Sequence, residues 1–365
     1  MSIAVIGAQF GDEGKGSVTD FLVNRYNINN VIRFSGGQQA GHTVMKKDIK
    51  HTFSNFGSGT LSGAKTYWSK YCSLYPIYLV EEFKSLLSKN IKPELFVDKN
   101  CPITTIYDVY YNKNNNKYTN NGTCGLGVGA TFERESNFYS LLFEDIFYDS
   151  ILETKLNLIE KYYSEKINSD VKLFNDDFFE AIDFIKKNVT VVDTYKYSND
   201  NINAIYEGSQ GLMLDQNIGF FPHVTRANTG TKNIKNNITE VYYVTRAYQT
   251  RHGNGPMLNE SINYNIKNNP FEINVLNQNQ GEFRKSMLNL DLLKYAIDKD
   301  NFYNKNLVIT CLDNLSDYHF IQNNQIIKCN SKEEFIYKIS QITKFKNILI
   351  SESPYSDNIS YFKNI

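Results

Sequence analysis

No run of about 18 apolar residues occurs in the 365-residue chain, so no helix is expected to cross a membrane. Excess charge is missing too. Lysine and arginine number 39 against 39 aspartates and glutamates, which leaves no basic footprint for nucleic acid or an anionic membrane surface. The five cysteines, Cys72, Cys101, Cys124, Cys311 and Cys329, are scattered without CxxC or CxxH spacing. That excludes the usual zinc patterns and fits a reduced protein. The first residues, Met-Ser-Ile-Ala-Val-Ile-Gly-Ala, have neither the basic segment nor the long apolar stretch of a secretory signal, so a cytoplasmic location is expected. No internal repeat is found. What is present is enough apolar material for a large core: 41% hydrophobic and 14% aromatic residues, despite a mean hydropathy of −0.44.

Ile3 to Ile6 is a short, wholly apolar run ending at Gly7, as expected of a buried parallel strand that feeds a loop. Beyond the loop, Val18, Phe21 and Leu22 have the spacing of a helix lying on a sheet. A second strand is expected at Val31 to Phe34. Others are expected at Val189–Val192, Ala204–Tyr206, Val241–Val244, Leu307–Ile309 and Ile348–Ile350, with helices at Phe143–Tyr163 and Leu290–Ile297. Strands alternating with helices along the chain predict an α/β fold, one large domain over 1–365 with a central, mostly parallel sheet flanked by helices. The Asn-rich stretches Asn112–Asn121, Ser198–Asn203 and Asn259–Asn269 are expected to be surface loops.

The sharpest signal lies between the first strand and its helix, where Gly7 to Ser17 contains four glycines, two acids and Lys15. Glycines let backbone N–H groups approach phosphate oxygens, the helix N-terminus favours negative charge, and Lys15 adds a cation. The loop is not a Walker A motif, which would require glycine at position 9 and a hydroxyl after the lysine; the chain has Gln9 and Gly16. Asp12 and Glu13 need a reason, because a carboxylate beside phosphate is costly unless it binds a metal or moves a proton. A solvated acid pair on a glycine turn is the bland alternative. Further polar clusters, all but one of them rich in glycine, carry amides, hydroxyls or a base at Arg33–Thr43, Gly122–Ala130, Glu207–Gly211, Phe221–Thr225 and Thr250–Pro256. Their placement after strands points to one large site, at the strand ends, for two or more ligands.

These residues resemble the adenylosuccinate synthetase family. Its GDEGKG stands whole at Gly11–Gly16 and its NAGHT is echoed by Gln39–Thr43. In family order follow GTxGxGxG at Gly122–Gly129, EGxQG at Glu207–Gly211, PxVTxxNT at Pro222–Thr229, TRxGxGP at Thr250–Pro256 and a weaker TxLD at Thr310–Asp313. The resemblance covers nearly the whole chain. It implies a P-loop-NTPase-like α/β fold, a homodimer, and a Mg²⁺-dependent ligase that joins L-aspartate to C6 of a purine nucleotide at the expense of a nucleoside triphosphate. By the same resemblance Asp12 is the base that takes the purine N1 proton and a Mg²⁺ ligand, with the Gly41 carbonyl as a second ligand. His42 is the acid at the transferred phosphoryl, and Lys15 neutralises its charge. Gly11, Glu13, Gly14, Gly16, Ser17, Gly41 and Thr43 would surround the donor phosphates, and Asp313, Ser351 and Ser353 its base. Gln39, Thr123, Cys124, Gln210, Thr225, His252 and Gly253 would hold the acceptor, and Arg284 and Lys285 the aspartate.

Three departures bear on the substrate. The family's arginine-rich aspartate loop reads Gly281-Glu-Phe-Arg-Lys here, with Glu282 where the first arginine would be. Phe138 stands near the place of an arginine that the family supplies from the partner subunit, and His252 replaces a usual valine. One reading is an IMP- and GTP-using enzyme in which Arg134 or Arg251 compensates. The leading reading is an acceptor without a ribose 2′-hydroxyl: dGMP, as in the viral branch that makes 2-aminoadenylosuccinate for diaminopurine DNA, working in a host cytoplasm. Cys311 and Ser353 at the donor-base motifs leave ATP or dATP beside GTP. A non-catalytic nucleotide-binding regulator is the reading from another class. It is disfavoured because binding alone does not call for Asp12, Lys15, His42 and Gln210 together.

Overall fold

In the computed structural model the described residues are all but 116–117, 119–122, 169–175, 194–202, 236, 273–280, 346 and 364–365. Gly122 and much of the Asn-rich stretches 112–121 and 198–203 lie outside them. The central sheet has ten strands, in the order Ser360–Tyr361, Ile348–Ile350, Lys305–Thr310, Glu240–Arg246, Ser2–Gly7, Ala204–Gly211, Asn30–Arg33, Lys65–Trp68, Leu95–Asp98 and Thr190–Val192. Every pairing is parallel except the outermost one, Ile348–Ile350 with Ser360–Tyr361. All the strands expected from the sequence are present.

The first strand shows why its sequence is apolar without alternation. Ile3 and Val5 pack on one face with Val18 and Leu22, whereas Ala4 and Ile6 pack on the other with Leu293 and Ile297. Helices cover both faces, so neither set of side chains meets water. The strand's two neighbours, Ala204–Gly211 and Glu240–Arg246, lie far downstream, so the order of connections reverses at this strand. A crevice opens outside the carboxyl ends of parallel strands at such a point.

The helix Lys15–Tyr26 begins earlier than its apolar spacing indicates, directly from Gly14 in left-handed backbone (φ 91°), with no side-chain cap. Its first N–H groups are thereby left to face the loop. The expected helix Phe143–Tyr163 is in fact two pieces. A 3₁₀ turn, Phe143–Phe147, ends where the Asp145 carbonyl accepts from the Tyr148 N–H, and an α-helix, Asp149–Ile167, follows. Asn112, expected in a loop, closes the buried side of the helix Ile106–Asn114, which starts with a Thr105/Asp108 capping box. A four-stranded sheet of Tyr248–His252, Phe283–Asn289, Tyr318–Gln322 and Gln325–Cys329 was not legible in the sequence, because Arg284 and Lys285 interrupt its apolar pattern. No helix among the described residues is long and apolar enough to cross a membrane.

Arg134 cannot compensate for a lost site arginine. It is fully buried, its Nε is 2.9 Å from Asp108 Oδ1, and Asp108 also accepts from the Tyr163 hydroxyl at 2.6 Å. This is a buried pair between the helices Ile106–Asn114 and Val128–Ser136, and Arg134 does not line the cavity described below.

Candidate active site

The carboxyl ends of the central strands open onto a cavity of 790 Å³. The loop after the first strand supplies Gly11 to Gly16 to its wall, the chain around the start of the hairpin strand His42–Lys46 supplies Gln39 to Thr43, the end of the strand Ala204–Gly211 supplies Ser209 and Gln210, and the segment Phe221–Arg226 completes this side. Thr123 and Cys124 enter from the start of the helix Val128–Ser136, and Arg246, Arg251 and His252 from the strands on the other side.

Glu13 organises the first loop from within. One carboxylate oxygen accepts the backbone N–H of Gln9 (3.1 Å) and of Gly11 (2.8 Å), and the other lies 2.6 Å from Lys15 Nζ. Both side chains are almost completely buried. Two glycines are required by this packing. A Cβ on Gly7 would lie 2.4 Å from Glu13 Oε2, and one on Gly211 would lie 2.1 Å from the Gln9 carbonyl oxygen. Gly211→Ala is therefore expected to cost about 1–3 kcal/mol by overpacking against backbone. Denaturant unfolding that matches the parent protein would show that the loop can shift freely.

Asp12 sits at the turn of this loop in left-handed backbone, φ 60°, a region aspartate tolerates better than most residues. Its carbonyl accepts from Arg246 Nε. Burial raises the Asp12 carboxyl above the ordinary aspartate range, and Arg246 and Lys15 pull it back only in part. A carboxylate tuned upward in this way is a better base near neutral pH than a free one.

His42 begins the hairpin His42–Lys46/Ile49–Phe53 and is buried against the sheet. Its Nδ1 lies 2.6 Å from Glu207 Oε1 and its Nε2 lies 3.2 Å from the Ser209 carbonyl oxygen. Ser58 donates to Glu207 through both its backbone N–H and its hydroxyl. Burial alone would raise the Glu207 carboxyl, but His42 and Arg33 outweigh it and keep the group below the usual carboxylate range, hence ionised. Burial pushes the His42 imidazolium below its ordinary value, against the pull of Glu207. Negative charge brought into the cavity beside the ring would favour the protonated form.

Of the remaining sequence-derived positions, Gln39, Gly41, Thr43, Thr123, Cys124, Gln210, Thr225 and His252 line this same cavity. The Gln39 and Gln210 amide oxygens and His252 Nε2 are buried without a hydrogen-bond partner among the described residues, so each can meet a ligand. Thr123 donates to Asn112 Oδ1 at 2.8 Å. Ser17 does not line the cavity; its hydroxyl is 3.4 Å from the Thr43 carbonyl oxygen. Gly253 donates its N–H to the Glu282 carbonyl and also stays outside.

Asp313, Ser351 and Ser353 lie together beside the cavity instead of lining it. The Leu312 N–H donates to the Ser351 carbonyl, the Ser351 hydroxyl donates to the Ser353 carbonyl at 3.0 Å, and Pro354 reaches the wall. Arg284 and Lys285 are not brought to the cavity. Arg284 forms a two-pronged pair with Glu260 at 2.8 Å and donates to the Gly253 and Gly255 carbonyls, and Lys285 Nζ is 5.9 Å from the Phe283 ring.

Several site residues escaped the sequence reading. Glu207 and Arg33 were visible only as flanks of glycine motifs. Arg246 closes the strand Glu240–Arg246 and pairs with Glu272 at 2.6 Å, and a lone charged residue ending an apolar strand was the available signal. Phe221 and Arg226 were visible only as parts of the cluster Phe221–Thr225 and the motif Pro222–Thr229.

The sheet reversal, the glycine loop ahead of a helix N-terminus, and Asp12 and His42 lining one cavity define an α/β protein with a glycine-rich loop at its switch point. The adenylosuccinate synthetase family model matches residues 4–365, and the chain belongs to that family. It is 33% identical over 280 residues to the adenylosuccinate synthetase of Borrelia duttonii (strain Ly), a match that covers 71% of this chain and 65% of the relative's length. It is 29% identical over 382 residues to that of Francisella tularensis subsp. tularensis (strain WY96-3418), covering 97% and 88%. The fold is similar to that of fully ligated adenylosuccinate synthetase from Plasmodium falciparum, with TM-score 0.79 and 19% identity over 99% of each chain. It is also similar to that of the cyanophage S-2L succinoaminodeoxyadenylate synthetase (PurZ) bound to dGMP and dATP as an energy donor, with TM-score 0.70 and 15% identity over 100% of this chain and 95% of that one.

Proposed function

We propose that the chain is a carbon–nitrogen ligase joining L-aspartate to C6 of a 6-oxopurine nucleoside monophosphate, driven by a nucleoside triphosphate. The observation that carries this reading is Asp12: a carboxylate whose proton affinity burial raises, placed inside a phosphate-cradling loop and facing the same cavity as Gln39, Gln210 and Thr225. Asp12 takes the proton from purine N1 as O6 attacks the γ-phosphorus and the nucleoside diphosphate leaves. Lys15, the loop N–H groups and His42 neutralise the charge on the transferred phosphoryl. The aspartate amine then attacks C6 and phosphate departs with O6, so the purine oxygen ends in phosphate and the new C6–N bond replaces it. Glu207 keeps the His42 ring oriented throughout.

Three or more grouped His, Cys, Asp or Glu side chains that could hold a metal by themselves are absent among the described residues. That suits Mg²⁺, which binds phosphate oxygens with one or two protein ligands. Asp12 and the Gly41 carbonyl would be those ligands, and the ion when bound offsets the charge of the triphosphate.

Our leading acceptor is dGMP. No arginine of the segment 281–285 lines the cavity to meet a ribose 2′-hydroxyl, since Arg284 is spent on Glu260 and two carbonyls and Glu282 also stays outside the wall. The unpartnered His252 Nε2 can accept from the 2-amino group of guanine. The cyanophage neighbour is bound to dGMP. IMP with GTP is the second reading, favoured by the Borrelia and Francisella relatives. ATP, dATP and GTP are the candidate donors, and a homodimer is proposed from the family. Phosphate release assayed with aspartate and Mg²⁺, offering dGMP and IMP separately, decides the acceptor. Release with dGMP but not IMP is expected; release with IMP alone would make this an ordinary adenylosuccinate synthetase.

Arg246 also gives a pH prediction. The base must be deprotonated, and Arg246 lowers the Asp12 carboxyl, so Arg246→Met raises it further. The acid limb of kcat/KM is expected to move to higher pH, with activity lost sooner as pH falls. An unmoved limb would remove Asp12 as the group that sets it.

A further inference from the structure

Among the described residues four lysine or arginine side chains line the cavity, and three are committed. Lys15 is paired with Glu13. Arg246 donates to the Asp12 carbonyl, to the Tyr248 hydroxyl at 3.0 Å and to Glu272 at 2.6 Å. Arg251 donates to the carbonyls of Asn254, Pro256 and His223 at 2.7–3.1 Å. The fourth, Arg226, is 44% exposed and makes one ion pair among the described residues, Nη1 to Glu133 Oε2 at 3.2 Å. Glu133 does not depend on it, because the Tyr118 hydroxyl (2.5 Å) and Lys166 Nζ (2.7 Å) already hold that carboxylate. A guanidinium has five N–H donors in a fixed fork suited to phosphate. Most of that capacity in Arg226 is unspent at a cavity wall.

Its neighbours define what it would meet. Glu133 belongs to the helix Val128–Ser136, which starts at Gly127 in left-handed backbone. Tyr118 lines the wall beside Gly129, where an added Cβ would come 3.1 Å from the tyrosine ring. The first N–H groups of this helix have no partner within it, and Thr123 adds a hydroxyl to the same wall. Cation, helix N-terminus and hydroxyl thus converge on one part of the cavity, while the glycine loop with Lys15 occupies another. One cavity therefore offers two anion-binding ends.

We propose that Arg226 is the clamp for the 5′-phosphate of the acceptor nucleotide, supplied by this chain itself and working with the start of the helix Val128–Ser136. This rests on the reading above that the cavity takes a purine nucleoside monophosphate, and it names the residue that makes the monophosphate preferred over the nucleoside.

The test is steady-state kinetics of Arg226→Ala and Arg226→Lys with dGMP, IMP and the corresponding nucleosides. Arg226→Ala is expected to raise KM for the monophosphate about 10- to 100-fold, the usual worth of a charge-assisted contact. KM for aspartate and for the triphosphate should stay unchanged, which also reports an intact fold. The preference for monophosphate over nucleoside should shrink by the same factor, and Arg226→Lys should recover part of it. Wild-type turnover with an unaltered monophosphate KM in Arg226→Ala overturns this assignment alone, as does an equal rise in KM for the triphosphate. A wild-type protein that turns over no purine nucleoside monophosphate overturns the functional reading and this assignment with it.

Discussion

Asp12→Asn is expected to reduce product formation by about 10²–10⁴-fold, the range a positioned general base contributes, while denaturant unfolding shows a folded protein. The substitution keeps the shape of the side chain and leaves the Arg246 contact in place, because that contact is to the Asp12 carbonyl. What the proposed mechanism loses is the carboxylate that would accept the N1 proton and one of the two groups that would hold Mg²⁺. Burial opposes ionisation of Asp12, and Arg246 and Lys15 support it only in part, so its proton affinity lies above that of a free aspartate. Turnover within a few-fold of the parent enzyme would show that N1 is deprotonated elsewhere and that the loop carboxylate is only structural.

Lys15→Met is expected to have the largest effect on stability, about 3–5 kcal/mol, because it strands the Glu13 carboxylate in a buried site. The two side chains are 2% and 1% exposed and lie 2.6 Å apart, so water cannot replace the lost ammonium. Glu13 also holds the Gln9 and Gly11 N–H groups. Its rearrangement would therefore deform the phosphate-cradling loop, and activity should fall together with stability. The urea midpoint measures this directly. A loss below about 1 kcal/mol, the range of a solvent-exposed pair, would mean that the ion pair is open to water.

The glycine loop, its helix and the parallel strands were legible because each depends on local pattern. Ile3–Ile6 is apolar without alternation since both faces are covered, and Gly7 and Gly211 are glycine because neighbouring atoms leave no room for a Cβ. What the sequence left hidden are pairings made at long range. Glu207 meets His42 across 165 positions. Arg246 reaches the Asp12 carbonyl across 234. Arg284 was expected at the aspartate site, yet it is held by Glu260 and by the carbonyls of Gly253 and Gly255, and register with Arg251 on the neighbouring strand fixes it there. Arg134 was a candidate to compensate for Glu282, and its burial against Asp108 removes it. Local spacing signals elements; it carries no information about which distant acid will claim a given arginine.

The 6-phosphoryl route is tested most directly by following the purine oxygen. With the acceptor nucleotide labelled with ¹⁸O at position 6, each turnover with aspartate and triphosphate is predicted to release inorganic phosphate carrying one ¹⁸O. Unlabelled phosphate released alongside the aspartate-linked product would contradict phosphoryl transfer to O6, and with it the role assigned to Asp12.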